Sequence, residues 1–141
     1  MEQITPLGQH CILELYGCPP DLLNDVQHVR EAIAEASRRG LSTLLELSSH
    51  RFYPQGVTAV ALLAESHLSI HTWPECGYAA VDIFTCGETA DPRRACDYLL
   101  EQFAAGRHSM LVLPRGGELS RCTAAGPREP SPARALCPAR T

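Results

Sequence analysis

The stretch VTAVALLAESHLSIHTWPECGYAAVDIFTC, residues 57–86, predicts three β-strands in a row. Apolar and β-branched residues dominate 57–63, 67–72 and 78–85, and the interruptions between them contain polar residues, proline and glycine. Strands joined by such short links pair in the antiparallel direction. The stretch therefore predicts the antiparallel core of a sheet.

Further elements lie on both sides of this core. We expect strands at 9–16, 41–47 and 109–113, a loop at 48–56, and helices at 21–39 and 91–105. Asp21 and Asp91 suit helix N-caps, and Gly40 suits the position after the first helix. The predicted fold class is α+β, a two-layer sandwich of a mainly antiparallel β-sheet with helices on one face. Its order is β-α-β-β followed by β-β-α-β.

Length and composition indicate one globular domain. The chain has 141 residues, of which 45% are hydrophobic and 20% charged. It has no apolar run of about 20 residues, as a membrane span requires, and no secretory signal pattern, so we expect a cytoplasmic protein without a membrane partner. Its seven cysteines are irregularly spaced and form no C-x-x-C motif. We therefore expect no disulfide framework and no metal site.

The charged residues exclude several classes of function. All 12 basic residues are arginine, and lysine is absent. This excludes pyridoxal-phosphate enzymes, lysine aldolases and P-loop proteins, because each of these needs a lysine. Acids outnumber arginines two to one in residues 1–113. Such an acidic body argues against nucleic acid as a partner and suits a cationic or amine-bearing ligand.

The composition changes at residue 114. Residues 114–141 are rich in proline, arginine and alanine and contain five prolines. Such a segment buries little apolar surface, so we expect a flexible, disordered C-terminal tail after a single domain at 1–113.

Side chains that can act as nucleophiles or bases alternate with apolar side chains along residues 66–73. On a strand, Leu68 and Ile70 share one face, while His67, Ser69 and His71 share the other. His67 and His71 would be about 13 Å apart on a strand, too far to chelate one ion. Ser66 has no G-x-S-x-G context of the hydrolase type. Without further information, a polar outer face in contact with water explains this pattern.

Several motifs make the sequence similar to a known family. Residues 64–75 (AESHLSIHTWPE) and 78–87 (YAAVDIFTCG), with Gly8-Gln9-His10 and His50-Arg51-Phe52, resemble the prokaryotic S-adenosylmethionine decarboxylase family. The resemblance extends over about residues 8–113 and leaves out the tail. These motifs are long and specific.

This resemblance implies a self-processing proenzyme. The bond between Glu65 and Ser66 would break by itself, giving a beta chain of residues 1–65 and an alpha chain of residues 66–141. Ser66 would become a covalent pyruvoyl group that forms a Schiff base with the substrate, so that no pyridoxal phosphate is needed. His71 matches the proton acceptor in processing, and Cys86 matches the proton donor in decarboxylation.

The resemblance also implies a substrate and an assembly. Phe52 and Trp73 match aromatic positions of the adenine pocket, and Glu75 matches a carboxylate near the ribose. Thr58 stands near the position where the family often has a processing serine, and it keeps the hydroxyl. The family implies decarboxylation of S-adenosylmethionine for spermidine biosynthesis, and a homo-oligomer with two alpha and two beta chains.

The sequence is also compatible with two other functions. The first is a pyruvoyl-dependent ornithine or arginine decarboxylase on the same fold. Retention of Phe52, Trp73 and Glu75 argues against it, because a small amino acid does not need an aromatic platform. The second is a non-enzymatic relative that never cleaves. The joint presence of Ser66 and Cys86 with His71 argues against that relative.

Overall fold

In a computed structural model that describes residues 6–117, one six-stranded sheet forms a layer and three α-helices cover one face of it. The strands are β1 (Gly8–Tyr16), β2 (Leu44–Arg51), β3 (Val57–Leu63), β4 (Ser66–Trp73), β5 (Tyr78–Cys86) and β6 (Arg107–Arg115). The helices are α1 (Pro20–Asn24), α2 (Val26–Arg39) and α3 (Pro92–Gln102). The predicted α+β two-layer fold is confirmed.

The strands lie in the order β2-β3-β4-β5-β1-β6, and each neighbouring pair is antiparallel. The continuous run β2-β3-β4-β5 follows the chain, as the short links predict. The first strand is then inserted between β5 and β6. This insertion makes β1 a central strand, with β5 on one side of it and β6 on the other.

The hydrophobic core lies between the sheet and the helices. Cys11, Leu13 and Leu15 of β1 are fully buried, as are Leu68 and Ile70 of β4. Alternate residues therefore point at the helices, as the period of two predicts. The other half of each strand points to the second face, which no helix of the described residues covers. We call this second face the open face.

The first helical segment differs from the prediction. A single helix from Asp21 was expected, whereas the structure ends α1 at Asn24 and begins α2 at Val26. Asp25 separates the two helices because its carboxylate accepts from the backbone N–H groups of Gln27 and His28, at 3.0 and 3.1 Å. Asp25, and not Asp21, is therefore the N-cap of the long helix.

The end of α2 also differs from the prediction. Gly40 has a φ of −77° and caps the helix, while Leu41 after it adopts the left-handed conformation, with a φ of 58°. A side chain at position 40 would meet Ala95 Cβ and the Asp91 carbonyl oxygen at 3.1 Å. The glycine is needed for the close approach of α3, not for its backbone angles.

The two edge strands extend beyond their predicted bounds. The prediction placed a strand at 41–47 and a loop at 48–56, but β2 reaches Arg51, and His50 pairs with Thr58. Polar residues obscured this strand because an edge strand is widely exposed. At the other edge, β6 includes Pro114, which the prediction placed in the tail. An edge strand tolerates a proline because one side of it needs no N–H donor.

No helix among the described residues is long and apolar enough to cross a membrane. The predicted flexible tail lies outside the described residues from position 118 onward.

Candidate active site

The predicted cleavage position lies in the tight turn between β3 and β4. Thr43, just before β2, holds this turn through three contacts. Its carbonyl oxygen accepts from the Ala64 N–H at 2.9 Å, and its own N–H and hydroxyl donate to the Glu65 carboxylate at 2.9 and 3.2 Å. The predicted cleavage position is therefore anchored through the Ala64 backbone and the Glu65 side chain.

Ser66 has a strained backbone. Its φ is 148°, in a region that residues other than glycine rarely adopt. Such strain persists only where the surrounding contacts enforce it, and it is concentrated at functional sites. Here the enforcing contacts are the pairing of Ser66 with Thr85 on β5 and the anchored Glu65 before it. The strain lies directly at the predicted cleavage bond.

The carbonyl group of the predicted cleavage bond accepts a hydrogen bond from β5. The backbone N–H of Cys86 donates to the Glu65 carbonyl oxygen at 2.9 Å. A donor aimed at this oxygen polarises the carbonyl and would stabilise negative charge on it during nucleophilic attack. The Cys86 side chain is exposed. One residue thus offers a backbone donor to the bond and a thiol to a bound ligand.

A cleft of about 520 Å³ adjoins this end of β5. Gly8 and Gln9 line it from β1, and Gly87 and Glu88 line it from the turn after Cys86. Val112, which pairs with buried Cys11, and Pro114, which pairs with Gln9, also line it, so the cleft lies on the helix-covered side of the sheet and Cys86 does not line it.

His71 lies elsewhere on the open face. Its Nδ1 is 2.8 Å from the Thr58 hydroxyl oxygen, directly across from it on β3. Ser66 and His71 are five residues apart on one strand, which at about 3.3 Å per residue separates them by about 16 Å. The structure therefore brings Cys86 to the predicted cleavage bond but does not bring His71 of the same chain to it.

The predicted substrate-binding residues lie at the His71 end of β4. Phe52 follows β2 and its ring meets that of His50 edge to face at 4.8 Å. Trp73 stacks on Tyr78 with ring centroids 5.3 Å apart. Glu75 is exposed in the short turn after β4. Together with Thr58 and His71, these residues form what we call the distal cluster.

A second group of polar residues, which we call the relay cluster, was not predicted as a cluster from the sequence. Asp82 on β5 lies at its centre and accepts from His10 Nε2 at 2.9 Å and from His67 Nε2 at 3.0 Å. The Ser69 hydroxyl also donates to this carboxylate. Strand alternation places all four side chains on the open face, but only the strand order brings β1 next to β5.

The hydrogen bonds of the relay cluster keep Asp82 ionised. Burial raises the pKa of Asp82, but the hydrogen bonds from Ser69, His67 and His10 together outweigh burial and hold the pKa below its usual value. The centre of the cluster therefore carries a negative charge at neutral pH.

The relay cluster also has the residue types of a metal site. The nearest ligand atoms of His10, His67 and Asp82 all lie within 4.8 Å of one another. Arg115 Nη1, however, lies 2.8 Å from His10 Nδ1. Because arginine can only donate, His10 Nδ1 accepts and its Nε2 carries the hydrogen. That nitrogen has no lone pair for an ion, so the arrangement favours hydrogen bonding over metal binding.

Comparison with known proteins identifies the family. Residues 9–116 match the S-adenosylmethionine decarboxylase family. An S-adenosylmethionine decarboxylase proenzyme of Prochlorococcus marinus strain MIT 9313 is 52% identical over 118 residues, 84% of this chain and 94% of that protein. A proenzyme of the same name from Carboxydothermus hydrogenoformans is 52% identical over 102 residues, covering 72% and 80% of the two chains.

A solved structure agrees with these relatives. The crystal structure of the adenosylmethionine decarboxylase from Aquifex aeolicus VF5 has a TM-score of 0.76 and 38% sequence identity, and the match covers 84% of this chain and 98% of that one. Sequence and fold lead to the same conclusion: this chain belongs to the S-adenosylmethionine decarboxylase family.

Proposed function

We propose that the chain is a self-processing, pyruvoyl-dependent decarboxylase of S-adenosylmethionine. Its products would be carbon dioxide and decarboxylated S-adenosylmethionine, the aminopropyl donor for spermidine biosynthesis. The observation that carries this proposal is the contact of the Cys86 N–H with the Glu65 carbonyl oxygen at 2.9 Å, beside the strained Ser66. The names of the relatives support the same activity.

Processing begins when the Ser66 hydroxyl oxygen attacks the Glu65 carbonyl carbon. The amide becomes an ester, and the Ser66 nitrogen becomes a free amine. The Cys86 N–H stabilises the oxyanion of this step. Removal of the Ser66 α-proton then expels the Glu65 carboxylate, and hydrolysis releases ammonia. The resulting chains are 1–65, which ends in a carboxylate, and 66–141, which begins with a pyruvoyl group.

The predicted acceptor of the α-proton is His71, and one chain does not place His71 at Ser66. His71 of the same chain lies about 16 Å away along β4. The open face thus carries two half-sites, the cleavage position with Cys86 at one end of β4 and the distal cluster at the other. A second copy packed on this face in the opposite direction would bring His71 of one copy to Ser66 of the other.

The open face has surface suited to such a dimer. Leu62 on β3 and Leu111 on β6 are 46% and 55% exposed, and both lie on the open face by their pairing with His67 and Ile12. Apolar groups on an exposed sheet face favour association. We propose a homodimer that becomes two alpha and two beta chains after processing, with two composite active sites.

The distal cluster supports a nucleoside substrate. Phe52 and Trp73 provide aromatic surface, and Glu75 provides an exposed carboxylate within two residues of Trp73. Aromatic faces stack on adenine and attract a sulfonium cation, while a carboxylate accepts from ribose hydroxyls. Ornithine and arginine have no ring that would use this surface.

The pyruvoyl ketone would take up the substrate amine and accept the electron pair released with carbon dioxide. The residues of the chain are compatible with a pyruvoyl group. Ser66 would supply the atoms of the pyruvoyl group, and the exposed Cys86 thiol lies at the same end of the sheet. Cys86 then donates the proton that replaces the lost carboxylate on the substrate carbon.

The substrate is tested by carbon dioxide release from the purified protein. Carboxyl-labelled S-adenosylmethionine, ornithine and arginine are compared at equal concentration. We expect release from S-adenosylmethionine and background release from the two amino acids. Faster release from either amino acid would overturn the proposed substrate.

A further inference from the structure

A chain of hydrogen bonds connects the nucleophile of the cleavage reaction to the relay cluster. The Ser66 hydroxyl oxygen lies 3.2 Å from His67 Nδ1, and His67 Nε2 lies 3.0 Å from Asp82. Asp82 contacts His10 Nε2 at 2.9 Å, and His10 Nδ1 contacts Arg115 at 2.8 Å. Side chains of β1, β4, β5 and β6 thus lie in one line that ends at the serine hydroxyl.

The positions of the hydrogens follow from the chemistry of these groups. Arg115 donates to His10 Nδ1, so His10 donates through Nε2 to Asp82. Asp82 is ionised and accepts only, so the His67 nitrogen that faces it must also carry a hydrogen. A neutral imidazole has one N–H, so Nδ1 of His67 keeps its lone pair. That lone pair lies 3.2 Å from the Ser66 hydroxyl oxygen.

We propose that His67 is the general base that activates the Ser66 hydroxyl in the first step of self-processing. This inference rests on the proposed function. The hydroxyl proton moves to His67 Nδ1 as the oxygen bonds to the Glu65 carbonyl carbon. The carbon–nitrogen bond then breaks, and His67 returns the proton to the departing nitrogen. The step rearranges an amide into an ester and an amine, with no net gain or loss of atoms.

Asp82 and His10 are positioning residues in this scheme. Asp82 fixes the His67 tautomer and stabilises the imidazolium that forms, as the carboxylate of a serine–histidine–aspartate triad does. Because Arg115 donates to His10 Nδ1, that nitrogen carries no hydrogen. The hydrogen of His10 is therefore on Nε2, which donates to Asp82. Two features differ from that triad: Nδ1 faces the serine while Nε2 faces the aspartate, and the serine attacks its own preceding peptide bond.

The proposal gives the two histidines of β4 different steps. His67 contacts Ser66 within one chain and acts on the hydroxyl proton. His71 lies about 16 Å away in that chain and, through the second copy, acts on the α-proton. Loss of His67 should therefore leave an amide between Glu65 and Ser66, whereas loss of His71 should leave an ester.

These two outcomes can be distinguished with hydroxylamine, which cleaves an ester far faster than an amide. Full-length chains carrying His67→Ala, His67→Asn or His71→Ala are purified, and each is weighed under denaturing conditions before and after hydroxylamine. We expect both His67 variants to process about 100-fold or more slowly than the unmodified chain and to resist hydroxylamine. We expect the His71 variant to split at residue 66 with hydroxylamine.

Controls separate this proposal from a folding defect and from the proposed function. His108→Ala removes an exposed histidine of β6 and should process normally. Added imidazole should restore cleavage to the His67→Ala chain, which a merely structural role would not allow. Wild-type processing by either His67 variant, or hydroxylamine cleavage of either, would overturn the base role alone. An unmodified chain that never cleaves would instead overturn the proposed function.

Discussion

The Thr58 hydroxyl oxygen lies 2.8 Å from His71 Nδ1, on directly opposed positions of β3 and β4. A hydroxyl can accept a hydrogen bond, so this contact allows the Nδ1–H form of the imidazole. Nε2 then keeps its lone pair and is free to accept a proton. The threonine at this position therefore retains the hydroxyl contact that a serine would provide to His71, the proposed processing base.

Replacing Thr58 tests that contact. Thr58→Val keeps the shape and loses the hydroxyl, so processing should slow by about fivefold, the equivalent of about 1 kcal/mol for one hydrogen bond. Thr58→Ser should process at the unmodified rate. The measurement is the fraction of cleaved chain over time during translation in vitro. Thr89→Val, which removes an exposed hydroxyl in the turn after β5, is the matched control. Equal rates for the valine and serine variants at position 58 would contradict the account.

The composite site predicts complementation between two inactive chains. A Ser66→Ala chain and a His71→Ala chain, each produced alone, should yield no pyruvoyl group. Produced together, they can form a dimer in which the intact Ser66 of one copy meets the intact His71 of the other. We therefore expect the His71→Ala chain to be cleaved only in the mixture.

Tags of different mass on the two chains identify which one is cut. The Ser66→Ala chain must stay whole in the mixture, because it lacks the nucleophile. Absence of any cleaved product in mixed dimers would show that His71 does not act across the interface.

Cys86 should separate processing from decarboxylation. Cys86→Ala keeps the backbone N–H that contacts Glu65 and loses the thiol, so the chain should still be cleaved. Decarboxylation of S-adenosylmethionine by this variant should fall by about 100-fold or more, since the proton donor is gone. Cys76→Ala removes the other exposed thiol near the motif and should keep full activity. Full activity of the Cys86 variant would show that Cys86 is not the proton donor in decarboxylation.

The reactivity of the cysteines should follow their burial. Burial raises the pKa of the Cys18 thiol to about 11, so little thiolate is available there at neutral pH. Iodoacetamide should therefore modify Cys86 and Cys76 before Cys18 in the folded protein, as peptide mass mapping would show. Early modification of Cys18 would contradict the packing of β1 and its following turn.

Asp82 predicts a pH dependence of stability. Burial raises its pKa, but hydrogen bonds from Ser69 and His67 of β4 and from His10 of β1 outweigh burial and lower the pKa, with Arg115 of β6 behind His10. A lowered carboxyl pKa adds stability above the unfolded pKa of about 3.9, and this is lost as pH falls through the folded value. We expect Asp82→Asn, measured in a Ser66→Ala chain, to be less stable than its parent near neutral pH. The difference should shrink as pH approaches 3.

Denaturant unfolding at several pH values measures this difference in the free energy of unfolding. Asp97→Asn, on the exposed side of α3, is the control and should show a smaller change with pH. A difference for Asp82→Asn that stays constant from pH 6 to about 3 would contradict the assigned hydrogen bonds.

The sequence predicted the central strands because each has one buried and one open face, which produces a clear period of two. It missed the end of β2, because Ser48, Ser49 and His50 lie on an edge strand where the period disappears. It placed the helix start at Asp21, since either aspartate could cap a helix and only the packed structure selects Asp25.

The sequence could indicate only those candidate site residues that lie within contiguous motifs. Glu65, Ser66 and Cys86 follow from motifs, but the relay cluster depends on the insertion of β1 between β5 and β6, which no local pattern reveals. The distance between Ser66 and His71 could be calculated from the predicted strand, because five residues on a strand span about 16 Å. Motif matching alone does not reveal that Ser66 and His71 lie at opposite ends of β4 in one chain.

Self-processing at Glu65–Ser66 is tested by the mass of the purified chain under denaturing conditions. We expect two fragments, residues 1–65 and residues 66–141, the second lighter by one ammonia than a simple hydrolysis product that begins with Ser66. Ser66→Ala should give one uncleaved chain. A single intact species of 15.4 kDa from the unmodified sequence would contradict self-processing at Glu65–Ser66.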